Sequence, residues 1–198
     1  MSAAADPTVQ QPVDELIASL TVDVPDHPEP GVLFRDLTPV FADGPAFARV
    51  VEGLAAPADS DPRAAALAGT DGATPDFDVV AGVEARGFLL AAAVALSAGV
   101  GVVLVRKAGK LPRERISADY ALEYGTATLE LHSDAIRPGQ RVLVVDDVLA
   151  TGGTLSAAVA LVEQLGGVVT AVSVVVELAA LGGRERMAPH TVHALWTT

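Results

Sequence analysis

Residues 142–154, Val-Leu-Val-Val-Asp-Asp-Val-Leu-Ala-Thr-Gly-Gly-Thr, constrain the fold of this chain more than any other segment. The apolar run reads as a strand buried on both faces, with Asp146 and Asp147 at its exit and a helix opening at Thr151-Gly-Gly-Thr154. The first amides of a helix have no intrahelical partner, and glycines let the backbone approach a ligand closely. Ala150, Thr151, Gly152, Gly153 and Thr154 therefore suit a phosphate group. Two carboxylates so near would repel a second anion, so Asp146 and Asp147 suit neutral hydroxyls that donate hydrogen bonds. A phosphate on one side and a diol on the other describes a ribose 5-phosphate. The plainer alternative makes Asp146 a helix cap and the glycines a tight turn.

The remaining pattern is regular from Phe77 onward. Strands are predicted at Asp78–Val83, Val100–Val105, Thr126–His132, Arg141–Val145, Val168–Glu177 and Thr191–Trp196, with helices at Phe88–Ser97 and Leu155–Leu165. Val-rich strands alternating with helices predict an α/β fold, a mainly parallel central sheet flanked by helices, with ligands at the carboxyl ends of the strands. Upstream, Pro12–Leu20 carries Val13, Leu16, Ile17 and Leu20 on one helical face, and Ala46–Ala56 reads as a second helix. Pro25–Gly31 is dense in turn formers. Pro57–Asp78, rich in Ala, Asp, Gly and Pro, is expected to be a surface insertion. The 198 residues read as a single domain.

Charge placement says more than charge itself. The net charge of −12 disfavours binding to nucleic acid. Yet five of the thirteen basic residues fall between Arg106 and Arg115, including both lysines, Lys107 and Lys110. Such a cluster in an acidic chain suits a small, highly charged anion; a solvated basic loop is the plain alternative. There is no cysteine, which fits a reducing compartment. Met1–Gln11 lacks the features of a signal peptide, and Leu89–Val105 is interrupted by Ser97, Gly99 and Gly101, so no membrane span is expected. The four histidines have no ligand spacing, and no protein metal site is expected.

The segment Val145–Thr154 resembles the ribose-phosphate motif of the type I phosphoribosyltransferases, and Ala150 resembles their adenine-specific branch. Three further segments match in order. Glu84-Ala-Arg-Gly-Phe88 is similar to the family's pyrophosphate loop, which implies pyrophosphate binding by Glu84, Ala85 and Arg86 and a non-proline cis peptide. A surface ion pair between Glu84 and Arg86 is the alternative. Arg106–Pro112 resembles the entry to a flexible catalytic loop over 107–124, with Lys107 and Lys110 on pyrophosphate. Ala121-Leu-Glu-Tyr-Gly125 resembles its exit, with Glu123 as proton acceptor and Tyr124 as a closing contact; Glu123 also fits an exposed strand edge. Pro30–Pro39 resembles the base-binding hood within about 1–40. It implies stacking on Phe34, backbone reading by Leu33 and Arg35, and Val148 on the opposite face; Phe34 as an ordinary core residue remains open.

The resemblance implies transfer of the 5-phosphoribosyl group of 5-phosphoribosyl-1-pyrophosphate (PRPP) to adenine, giving AMP and pyrophosphate. It implies Asp146, Asp147 and Glu123 as catalytic, Mg²⁺ carried mainly by PRPP and water, a homodimer, and a cytoplasmic location. Two other readings compete: a PRPP sensor without catalysis, and an enzyme of the same fold acting on another base. A sensor of that kind needs a basic DNA-binding end, and the first 24 residues contain no Lys or Arg.

Overall fold

A computed structural model describes residues 11–56, 60–61, 75–121 and 125–198. Most of the expected insertion at 57–78 lies outside them, as do Glu123 and Tyr124. The chain opens with helix α1 (Val13–Leu20), which buries Val13, Leu16 and Ile17 on one face. Strands β1 (Val22–Pro25) and β2 (Leu33–Asp36) form a small antiparallel sheet. The turn between them is drawn in by the Gly31 amide, which donates to Asp26 Oδ1 at 2.7 Å. Helices α2 (Thr38–Ala42) and α3 (Gly44–Leu54) follow. Asp43 caps α3, accepting from the Ala46 amide at 2.9 Å.

The main sheet has seven strands in the order β5-β6-β4-β3-β7-β8-β9. They are β3 (Val79–Val83), β4 (Gly101–Lys107), β5 (Arg115–Ala121), β6 (Thr126–His132), β7 (Arg141–Leu149), β8 (Val168–Glu177) and β9 (Val192–Thr197). The five strands from β4 to β9 run parallel, and the hairpin β5–β6 is added antiparallel at the β4 edge. Helix α4 (Gly87–Ala98) joins β3 to β4, and α5 (Gly153–Gln164) joins β7 to β8. A short 3₁₀ turn (Ala179–Leu181) and helix α6 (Gly183–Arg186) lead to β9.

Strand alternation sorts the core into two layers. Val80, Leu143 and Val145 pack with α1, α3 and α4, whereas Val79, Ala81, Val142 and Val144 pack with α5 and the hairpin. Gly82 lets α4 close onto β3, since a Cβ there would stand 2.6 Å from Ala91 Cβ. Among the described residues no helix is long and apolar enough to cross a membrane.

Two sequence expectations need correction. The strand predicted to end at Val145 runs on to Leu149, so both aspartates lie within it. Its partner β8 is long enough to keep pairing it, with Asp146 opposite Val174 and Leu149 opposite Glu177. The stretch read as one loop from 107 to 124 contains β5, seven residues paired in continuous register with β6.

Candidate active site

The site begins where one ladder stops and its neighbour continues. Pairing of β3 with β7 ends at Gly82 opposite Val145, while pairing of β7 with β8 goes on through Leu149. On the β3 side, Asp146 and Asp147 therefore face the turn Glu84-Ala-Arg86 that leads into α4. The contact is close: a Cβ on Gly87 would stand 2.8 Å from Asp146 Oδ1 and 2.9 Å from the Val145 carbonyl oxygen. The Glu84–Ala85 peptide is cis, where the resemblance implied one.

Both aspartates are buried. Asp146 Oδ1 accepts from the Asp147 amide at 2.9 Å. Burial, then the neighbouring charge of Asp147, pushes the Asp146 carboxyl well above the usual carboxylate range. Asp147 Oδ2 lies 2.6 Å from Arg86 Nε. The Nε–H is not directed at it, so the pair is ionic and this buried oxygen still lacks a hydrogen bond. The same guanidinium sits over the Phe34 ring, its Cζ 5.3 Å from the centroid, and His27 meets that ring edge-on at 5.1 Å. Arg86 thus joins two other expected site residues, Phe34 and Asp147, from separate segments.

Beyond Asp147 the chain folds into a cradle. Ala150, Thr151, Gly152, Gly153 and Thr154 line a cleft of about 80 Å³ with Asp146, Val148, Leu149 and Leu155. Gly152 takes φ 79°, and no side chain caps the twelve-residue helix α5 that starts there. Its first amides are left for a ligand or water.

The basic cluster is organised by Glu84. The Glu84 carboxylate accepts from the Lys107 amide at 3.0 Å and from Lys110 Nζ, and Arg106 Nε lies 3.5 Å away. Burial pushes the Glu84 carboxyl up, but the hydrogen bonds from Lys110 and Lys107 and the nearby charges outweigh it, leaving it lowered. The surface ion pair between Glu84 and Arg86 is not formed; each holds a different partner. Lys107 is exposed. In the hood, Leu33 is exposed, and the Arg35 side chain is engaged by Asp23, Thr198 and the Trp196 ring. That leaves the Arg35 backbone as the part able to read a ligand. Val148 is half-buried and packs against the α1–α4 core layer.

Sequence reasoning gave Gly87 no role and Arg106 only a place in the basic cluster. Gly87 stood inside the quoted Glu84–Phe88 segment, so the signal was present without the contact that explains it. A larger cavity, about 430 Å³, lies beside β4 and the end of β6, lined by Val102, Leu104, Leu111 and His132 among others. Its Arg113 is already neutralised by Asp134 at 2.5 Å, and it has no glycine cradle. The aspartate cleft is therefore the candidate site.

A model of the phosphoribosyl transferase domain matches residues 41–190. The adenine phosphoribosyltransferase of Salinispora arenicola is 57% identical over 185 residues, covering 93% of this chain and 91% of that protein. Among solved structures, the adenine phosphoribosyltransferase of Thermoanaerobacter pseudethanolicus superposes with a TM-score of 0.82 at 43% identity, covering 93% of this chain and 99% of the other. The Saccharomyces cerevisiae enzyme, solved with D-2,5-dideoxy-2,5-imino-altritol 1,6-bisphosphate and adenine, gives 0.80 at 34% identity and covers 92% and 98%. With the domain match spanning most of its length and the aspartate strand running into a glycine cradle, this chain belongs to the phosphoribosyltransferase family.

Proposed function

We propose that this chain transfers the 5-phosphoribosyl group of PRPP to adenine, giving AMP and pyrophosphate, as the relatives' names describe for those proteins. The observation that carries the reading is the strand β7, which brings Asp146 and then residues 150–154 to line one cleft, with Asp147 beside Arg86. The cradle amides bind the 5′-phosphate, and the two aspartates hold the ribose hydroxyls. Cleavage of the anomeric C–O bond leaves positive charge on the ring, and the buried carboxylates favour that charge. Arg86, the backbone of Glu84 and Ala85, Lys107 and Lys110 receive the leaving pyrophosphate. In this role the Glu84 side chain steers Lys110 and does not itself meet the anion. Adenine stacks on Phe34 and is read by the backbone of Leu33 and Arg35, with Val148 on its other face. Glu123 takes the imidazole proton, and Tyr124 closes the loop.

The site suits Mg²⁺ arriving with its substrate. Among the described residues no group of three or more carboxylates and histidines is placed to hold a metal ion. The buried Asp147 Oδ2 still lacks a hydrogen bond, so it suits a metal-bound water, and Asp146 lies beside it. Mg²⁺ would neutralise charge on the pyrophosphate oxygens. We also place the protein in the cytoplasm, in keeping with its lack of cysteine, and as a homodimer.

The test offers PRPP and Mg²⁺ with adenine, hypoxanthine, guanine and orotate in parallel. Nucleotide from adenine alone is expected. Nucleotide from another base would overturn the hood assignment, and PRPP binding without product would favour a sensor. Lys107→Ala should raise the KM for PRPP about tenfold, the loss of one charge-assisted contact. Unchanged kinetics would return the basic cluster to a solvated loop.

A further inference from the structure

The cradle does not stand alone; its back rests on α6. A Cβ on Gly183 would lie 2.2 Å from the Ala150 carbonyl oxygen and 2.8 Å from Leu149 Cδ1. A Cβ on Gly152 would meet Gly183 O at 2.9 Å. Two backbones therefore touch with no side chain between them, and the position of α6 sets the position of residues 150–152.

One ion pair holds α6. Arg184 grips the buried carboxylate of Glu177 with a fork: Nε lies 2.9 Å from Oε1 and Nη2 lies 2.5 Å from Oε2. Its third nitrogen, Nη1, donates to the Val192 carbonyl at 2.9 Å. Glu177 is the β8 residue opposite Leu149, and the next amide, Leu178, donates to Leu149 O at 2.9 Å. The clamp thus joins the end of β8, the start of β9 and α6 directly behind the cradle.

We propose that Glu177 and Arg184 are positioning residues for the 5′-phosphate cradle, acting through the Gly183–Ala150 backbone contact. The inference rests on the reading of residues 150–154 as the phosphate site. Arg184 does not line the cleft. It fixes the surface against which the cradle amides are aligned, and amide alignment decides how well they bind a phosphate.

The experiment measures binding of ribose 5-phosphate and of pyrophosphate separately, by calorimetry, together with melting temperature. Wild type, Arg184→Ala, Arg184→Lys and Gly183→Ala are compared. Arg184→Ala should weaken ribose 5-phosphate about tenfold, and Gly183→Ala on the order of a hundredfold, with pyrophosphate affinity unchanged. Arg184→Lys, which keeps a counter-charge on Glu177 without the fork, should fall between wild type and Arg184→Ala. If Arg184→Ala loses its cooperative melting transition, Arg184→Lys decides the matter by the same split between the two ligands. Equal losses for both ligands, or unchanged ribose 5-phosphate affinity in folded variants, would overturn the proposal. A wild-type protein that binds pyrophosphate but no ribose 5-phosphate would instead remove the phosphate reading on which it rests.

Discussion

Asp146→Asn is expected to lower kcat by about 10²–10³-fold while raising the melting temperature at neutral pH. The two effects share one cause. Burial and the charge of Asp147 raise the Asp146 carboxyl well above its ordinary value. An acid whose pKa is raised by folding contributes stability below its unfolded pKa and loses it as pH rises through the folded one. At neutral pH the native state therefore bears the cost of ionising this group, and an amide removes that cost. The amide retains an oxygen to accept from the Asp147 amide, as Asp146 Oδ1 does at 2.9 Å. It keeps the shape of the group but has no negative charge to offer when the sugar ring turns cationic. The loss should thus appear in kcat more than in the KM for PRPP. Melting curves at several pH values check the linkage: the gain should vanish as pH falls below the ordinary carboxylate range. A variant that melts lower than wild type at neutral pH would contradict this account.

Gly87→Ala should do the greatest damage for the smallest change. The added methyl would press on Asp146 Oδ1 at 2.8 Å, Val145 O at 2.9 Å and Asp146 Cα at 3.3 Å. Two of these atoms are backbone of a central strand that β8 holds in place, so α4 must move instead. Overpacking of this kind costs about 1–3 kcal/mol. The accompanying displacement of Arg86 and Asp146 should lower kcat/KM by about a hundredfold. Denaturant unfolding and steady-state kinetics measure both effects. Gly44→Ala is the control, since a Cβ there meets nothing within 4 Å and should change neither.

What could be read from the sequence was local, and what could not depended on neighbours. The Val-rich runs of β3, β7 and β8 carry their own evidence, because a strand buried on both faces has few other compositions. The end of β7 could not be read there, since it depends on how far β8 extends beside it. Strand β5 did leave a trace: Ile116, Ala118 and Tyr120 alternate towards the core, between Arg115, Ser117 and Asp119. That alternation was obscured by the basic cluster in which it begins. The candidate site residues could be named by type, but their partners could not. Glu84 was grouped with the pyrophosphate ligands, yet β3 pairs with β4 so that Val83 lies opposite Val105, which sets Glu84 beside Arg106 and Lys107. Nothing in the order of residues along the chain shows that Arg86 reaches Asp147 and Phe34 rather than Glu84.

That last arrangement has a thermodynamic consequence. One guanidinium serves as neighbour to an aromatic ring at 5.3 Å and to a carboxylate at 2.6 Å. A guest over the ring and a guest beside the carboxylate must each come to terms with the same side chain. Their binding free energies are therefore not separate quantities. Whatever factor one guest applies to the affinity of the other is returned in equal measure. In the roles proposed for Phe34 and Asp147, Arg86 would make the base half and the sugar half of the cleft a single thermodynamic unit, whichever guest arrives first.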